Sequence, residues 1–239
     1  MTGITAAILA GGLGTRLRSV VADRPKVLAT VAGRPFLAHL LDQLASSGCQ
    51  ETVLLVGFGA GQIRSTFGAR FGDMKLTYSV EPEPLGTGGA LRNALAAFTN
   101  GHVLLLNGDS FCELDLAAFV QSHRERQGTA LSMALARVES ASRFGRVRVG
   151  PGRRISRFEE KQPQPRPGWI NAGVYLIARE VIEDIPAGWV VSLERDVLPE
   201  LVEQGKVSGF RGGRFIDIGV PESYALADGF FGAEPAHAR

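Results

Sequence analysis

Cysteine and histidine are scarce in this 239-residue chain, with two of the first and four of the second. Cys49 and Cys112 lack the repeated spacing of a zinc knuckle, and the scattered histidines form no compact imidazole group. Neither a structural zinc site nor a disulfide framework is expected. Surplus charge is missing too: the formal net charge is +2, and the arginines spread along the chain without forming a basic tail. That argues against nucleic acid as the main partner. No apolar run approaches the ~20 residues that cross a bilayer, and the start reads as a buried strand without a basic, cleavable leader. No membrane partner is expected, and the default location is cytoplasmic. No internal repeat is visible.

What the chain does contain is 45% hydrophobic and 21% charged residues, the make-up of a globular enzyme. Its length suits one main domain over residues 1–232 that carries a substrate-binding lobe. Residues 233–239 read as a flexible tail, with too few apolar groups to offset the entropy of ordering.

Strand and helix patterns alternate through the first half. Residues 5–10 form an apolar strand, and Pro35 opens a helix with Phe36, Leu37, Leu40, Leu41 and Leu44 on one face, released at Gly48. Strands are expected at 52–56, 75–80 and 102–106, and helices at 62–67 and 90–98. This alternation predicts an α/β fold. The second half is less regular, with strands expected at 130–136, 147–149, 155–158, 173–177, 207–210 and 215–218, and a helix at 193–202. Pro221 opens a last helix. The proline-rich stretch 162–168 breaks the pattern and reads as a substrate-side loop.

Gly11, Gly12 and Gly14 follow the first strand, where their backbone amides could approach phosphate oxygens that larger side chains would obstruct. Arg16 supplies a positive fork and Thr15 a further donor. A structural turn explains the glycines by themselves. The segment lacks the third glycine of the dinucleotide fingerprint and the Gly-Lys ending of a Walker loop, which weakens oxidoreductase and P-loop ATPase readings. Lys26, after Pro25, could neutralise charge in a phosphoryl-transfer transition state; alone it would read as a surface lysine. Asn107-Gly108-Asp109 puts a carboxylate after an apolar strand, at the sheet edge where open α/β folds bind ligands. Asp217 ends another apolar segment. Two carboxylates meeting there would suit Mg²⁺, and the sequence leaves that meeting open.

Taken in order, Leu9-Ala10-Gly11-Gly12-Leu13-Gly14-Thr15-Arg16-Leu17, Pro25-Lys26, Leu85-Gly86-Thr87-Gly88-Gly89-Ala90, Asn107-Gly108-Asp109, Glu159-Glu160-Lys161, Asn171-Ala172-Gly173 and Phe215-Ile216-Asp217-Ile218-Gly219 resemble the sugar-phosphate nucleotidyltransferase family. The resemblance covers nearly the whole chain. It implies a doubly wound, Rossmann-like mixed sheet with an elaborated sugar-binding part, and a Mg²⁺-dependent reaction joining a sugar 1-phosphate to a nucleoside triphosphate with release of pyrophosphate. It also implies that Asp109 and Asp217 hold the metal, that Arg16 engages the triphosphate, and that Lys26 stabilises transfer. The nucleotide is expected along Leu9, Ala10, Gly11, Gly12, Gly14, Thr15, Glu81, Gly86, Thr87 and Gly88. Lys161 is expected to orient the sugar phosphate and Glu160 to accept a sugar hydroxyl, with Asn107, Gly145, Asn171, Gly173 and Glu194 completing the sugar side.

Within the family, the runs 83–90 and 215–224 are most similar to members that use GTP and D-glycero-α-D-manno-heptose 1-phosphate. Mannose 1-phosphate with GTP, or glucose 1-phosphate with dTTP or UTP, are the alternatives. Glu81 stands where thymidylyl members carry glutamine, and an ionised carboxylate matches the two neighbouring donors of guanine. Homo-oligomerisation is left open. A non-enzymatic nucleotide-sugar sensor is the competing role; the presence of Arg16, Lys26, Asp109, Lys161 and Asp217 together counts against it.

Overall fold

A computed structural model of the chain describes residues 3–17, 19–144, 146–159 and 166–232. The opening apolar run forms β1 (Ile4–Leu9), whose side chains alternate between two cores: Ala6 and Ile8 enter one, Ala7 the other. A short hairpin, β2 (Thr30–Val31) and β3 (Arg34–Pro35), leads into α1 (Phe36–Ser46), with Pro35 at its N-cap. Then come β4 (Glu51–Val56), α2 (Ala60–Phe67), β5 (Arg70–Phe71), β6 (Met74–Val80), α3 (Gly86–Asn93), β7 (His102–Asn107), β8 (Ser110–Cys112), α4 (Leu116–Arg124) and β9 (Leu131–Val138). The second half supplies the antiparallel hairpin β10 (Arg146–Val149) and β11 (Ile155–Glu159), then β12 (Gly168–Ala178), α5 (Arg179–Glu183), α6 (Leu198–Glu203), β13 (Val207–Arg211), β14 (Phe215–Asp217), α7 (Pro221–Tyr224) and α8 (Ala227–Gly232).

The main sheet has eight strands in the order β13-β9-β12-β7-β1-β4-β6-β5. Strands β7, β1, β4 and β6 run parallel, β12 runs antiparallel to both β7 and β9, and β13 is parallel to β9. This is the mixed, doubly wound sheet expected from the sequence. Residues of α1, α4 and α8 cover one face and residues of α3, α5 and α6 the other. From β1 the chain winds outward through β4 and β6, then returns to β7 on the opposite side. That reversal opens a crevice beyond the carboxyl ends of these strands.

Several boundaries differ from expectation for identifiable reasons. The helix expected at 90–98 begins at Gly86, so the glycine-containing stretch is its first turn, and it gives way to a 3₁₀ turn at Leu95–Ala97. The helix expected at 193–202 opens as a π-helical turn, Leu193–Val197. Strand β12 starts at Gly168 and bulges: four steps from Asn171 to Tyr175 face two on β9, with Gly173 at φ +73° absorbing the extra length. Helix α4 was not anticipated; the Asp115 carboxylate caps it by accepting from Ala118 N–H at 2.9 Å. The last helix is two short ones, α7 and α8. Most of the proline-rich loop lies outside the described residues, as does 233–239. Among the described residues, no helix is long and apolar enough to cross a membrane.

Candidate active site

The ends of the parallel strands are tied tightly together. Ala10 N–H donates to Leu55 O at 2.7 Å, and Gly108 N–H to Leu9 O at 2.9 Å. A Cβ on Gly108 would stand 2.2 Å from Leu9 O, so only glycine lets β7 leave the sheet this close to β1. Beyond these ends lies a cavity of about 440 Å³. It is lined by Leu9 and Asn107 at the strand ends, by the 11–15 loop with Glu81 against Gly11, and by Gly86 and Thr87. Lys26 and Asp109 close the end nearest β8.

Of the residues expected along the nucleotide, Leu9, Gly11, Gly12, Gly14, Thr15, Glu81, Gly86 and Thr87 line this cavity; Ala10, Arg16 and Gly88 do not. Ala10 is buried beneath the loop, and Arg16 is exposed on it. The glycines have separate causes. A Cβ on Gly11 would meet Glu81 Oε1 at 2.8 Å, and Gly14 sits at φ +60°, whereas around Gly12 there is open space. Gly12 is therefore free of any demand from the protein's own packing.

Glu81 follows β6 and turns its carboxylate towards the Gly11 and Gly57 backbones. Oε2 accepts from Leu85 N–H at 3.2 Å. Burial pushes this carboxyl above its ordinary range, an effect partly offset by the Leu85 N–H.

Asp109 and Asp217 do meet. Asp217 pairs with Ser110 where β14 runs against β8, and Ile218 N–H donates to Asp109 O at 2.9 Å. Lys26 forms an ion pair with Asp109, and Arg143 Nη2 lies 3.1 Å from Asp217 Oδ1. Burial, then the Asp109 charge, push the Asp217 carboxyl up; Gly219 N–H at 2.9 Å, Arg143 and Lys26 pull it back. Two like charges brought near each other, one of them lining the cavity, fit a divalent cation. Among the described residues no cluster of three or more His, Cys, Asp or Glu forms. Such a pair suits Mg²⁺, which typically takes one or two carboxylates and fills its shell with water and substrate phosphate.

Of the residues expected on the sugar side, Asn171, Gly173 and Glu194 join Thr87, Ser192 and Tyr175 in a chain of hydrogen bonds. Thr87 Oγ1 donates to Glu194 Oε2 at 2.7 Å and accepts from Leu193 N–H at 2.8 Å. Ser192 Oγ donates to the same carboxylate oxygen, and Tyr175 O–H donates to Oε1 at 3.1 Å. Asn171 Nδ2 donates to Tyr175 Oη at 2.7 Å, while its Oδ1 accepts from Gly173 N–H. Tyr175 was not anticipated; its place two residues past Gly173 in the quoted Asn-Ala-Gly motif was the available signal. Gly88 and Gly89 N–H both donate to Val191 O, and a Cβ on Gly86 would lie 2.5 Å from that same oxygen. These glycines let the 189–193 segment press onto α3. The buried Oδ1 of Asn107 has no partner among the described residues, and its Nδ2 faces Gly173. Gly145, Glu160 and Lys161 lie outside the described residues.

The chain matches the profile of the family described as Nucleotidyl transferase over residues 5–232. It is 36% identical to D-glycero-alpha-D-manno-heptose 1-phosphate guanylyltransferase of Aneurinibacillus thermoaerophilus, across 93% of this chain and 96% of the relative. Mannose-1-phosphate guanylyltransferase of Mycobacterium tuberculosis is also 36% identical, over 92% of this chain; the match spans only 62% of that longer protein. The crystal structure of HddC from Yersinia pseudotuberculosis complexed with GMP-PN superimposes with a TM-score of 0.81 at 34% identity, covering 95% of this chain and 99% of that one.

Proposed function

Because the chain belongs to the nucleotidyl transferase family, we propose that it transfers a guanylyl group from GTP to D-glycero-α-D-manno-heptose 1-phosphate, forming GDP-heptose and pyrophosphate. The observation that carries this reading is the Glu81 carboxylate in the wall of the cavity that Lys26 and Asp109 also line. Ionised, it offers two acceptors to the adjacent N1–H and exocyclic amine of guanine; thymine and uracil offer one donor between two carbonyls. Relatives that are guanylyltransferases for heptose and mannose phosphates support the same nucleotide.

In this reaction a phosphate oxygen of the sugar attacks the α-phosphorus of GTP in line, the α–β bridging bond breaks, and pyrophosphate leaves. The attacking oxygen is already anionic, so no side chain has to remove a proton. The protein's tasks are positioning and charge stabilisation. The Gly11–Thr15 backbone cradles the phosphates, with Arg16 reaching them from the rim, and Lys26 faces the charge that develops at the α-phosphate. Asp109 and Asp217 would hold Mg²⁺, which supplies charge neutralisation on the phosphate oxygens. Lys161 would orient the incoming phosphate. Glu194, held by Thr87, Ser192 and Tyr175, lies behind the nucleotide wall on the sugar side. GTP and phosphorylated sugars are cytoplasmic metabolites, which fits a cytoplasmic enzyme.

Mannose 1-phosphate is the second reading, supported by the mycobacterial relative at equal identity. Pyrophosphate release with GTP and each sugar phosphate decides between them, and release with neither rejects the reaction. Glu81→Gln should lower GTP efficiency and narrow its lead over dTTP by about tenfold or more, the scale of one charged hydrogen-bonded pair. An unchanged GTP-to-dTTP ratio would place base selection elsewhere.

A further inference from the structure

Arg143 is a charged residue of the site to which neither the motifs nor the reaction assigns a task. It stands in a turn that follows β9 and is closed by Phe144 N–H donating to Ala141 O at 3.1 Å. The Phe144 ring packs edge-on against Phe215 of β14, with centroids 5.5 Å apart at 85°. The Arg143 guanidinium lies over Phe144, 5.2 Å from the ring centre, and reaches Asp217 Oδ1. The turn is thus anchored to the strand that carries Asp217, while the Arg143 side chain stays 42% exposed. Lys26, on Asp109, is only 12% exposed.

Each acidic residue therefore carries one cation, and the two cations differ in freedom. Arg143 reaches Asp217 at Oδ1, and a divalent ion on the same carboxylate would set two positive charges against each other, so the two compete for it. Arg143, once displaced, is a planar fork of donors on a flexible stem at the mouth of the site. The incoming substrate phosphate is an anion that can satisfy it, since the GTP phosphates are already matched by the metal and the 11–15 loop.

We propose that Arg143 is a partner-exchanging phosphate-binding residue, on Asp217 in the metal-free enzyme and on the phosphate of the sugar 1-phosphate in the loaded one. The phosphate half rests on the reaction proposed above, and the exchange half only on the divalent ion proposed at Asp217. Free Mn²⁺, followed by electron paramagnetic resonance without substrates, measures the competition. Arg143→Gln should bind Mn²⁺ about fivefold tighter than wild type. With both substrates present, its KM for the sugar 1-phosphate should rise about tenfold while the KM for GTP holds within about twofold. Arg143→Lys, which keeps the charge and loses the fork, should move both readouts in the same directions by less. It serves as the second variant if the glutamine form fails to fold. Mn²⁺ affinity that is unchanged or weaker overturns the exchange. Unchanged dependence on sugar phosphate overturns the phosphate role. A wild type that releases no pyrophosphate rejects the reaction instead, and with it the phosphate half.

Discussion

Tyr175→Phe isolates the hydrogen-bonded chain beneath the site. Tyr175 is fully buried at the bulge of β12. Burial, then the neighbouring Glu194 charge, hold its phenol well above the ordinary value of 10, so the hydroxyl is a donor at neutral pH. Phenylalanine keeps the ring and its packing against the α3-side core. What disappears is one donor to a carboxylate, worth about 1.5–3 kcal/mol, and one acceptor for an amide, worth about 0.5–1.5 kcal/mol. Glu194 keeps Thr87 and Ser192 on its other oxygen, so it is not left bare. The expected loss is therefore about 2–4 kcal/mol, a large share of the ~5–15 kcal/mol that holds a domain folded. Urea unfolding at 25 °C reads it as a fall in midpoint with unchanged slope. A cycle with Glu194→Gln should give a coupling of about 1 kcal/mol. A loss under ~0.5 kcal/mol, the range of an ordinary surface change, would mean that the network does not tie β12 to Glu194 and α3.

Two further perturbations follow from geometry. Gly108→Ala places a methyl 2.2 Å from Leu9 O and 2.9 Å from Val27 Cγ1, so thermal unfolding should show a loss of about 3 kcal/mol or more. Gly12→Ala meets open space and should unfold within about 0.5 kcal/mol of wild type while GTP binding, read by calorimetry, weakens at least about tenfold. Equal stability losses in the two variants would contradict the reading of Gly12. His123 is buried, accepts or donates at Nδ1 to Ser132 Oγ, and has its pKa pushed down to about 4, chiefly by burial. Because the folded value lies below the unfolded 6.5, its contribution is present above pH 6.5 and lost as pH falls through about 4. The loss is about 3 kcal/mol, and His123→Asn should flatten stability across that window in a pH series of urea melts. An unchanged slope would assign acid sensitivity to other groups.

Strands β1, β4 and β7 were legible because a parallel strand covered on both faces reads as an unbroken apolar run, and β6 because it alternates apolar with polar residues. Helix α4 was equally legible in principle, through the Asp115 cap and the spacing of Leu116, Phe119, Val120 and His123. The meeting of Asp109 with Asp217 was not. It depends on β14 returning to pair with β8 from the far end of the chain, and nothing local encodes that register. The glycines at 86, 88 and 89 show a different limit. A phosphate cradle and a close approach of another segment both require an absent Cβ, and the partner that distinguishes them, Val191, lies about a hundred residues away.

The division of labour between the two cations follows from where the chain puts them. Lys26 begins a 3₁₀ turn whose next two residues, Val27 and Leu28, are buried in the core under the sheet. Its backbone is fixed, its stem is covered, and its charge can only point along the cavity towards Asp109. Arg143 is anchored through a neighbouring ring, leaving its own side chain half in solvent. An ion pair on the first support is costly to break unless another anion takes its place, because the ammonium is covered. A pair on the second costs little to break, since exposed pairs contribute about 0–1 kcal/mol. The site therefore keeps one positive charge fixed beside the cavity and one on a support that lets it move, and burial, more than residue type, decides which is which.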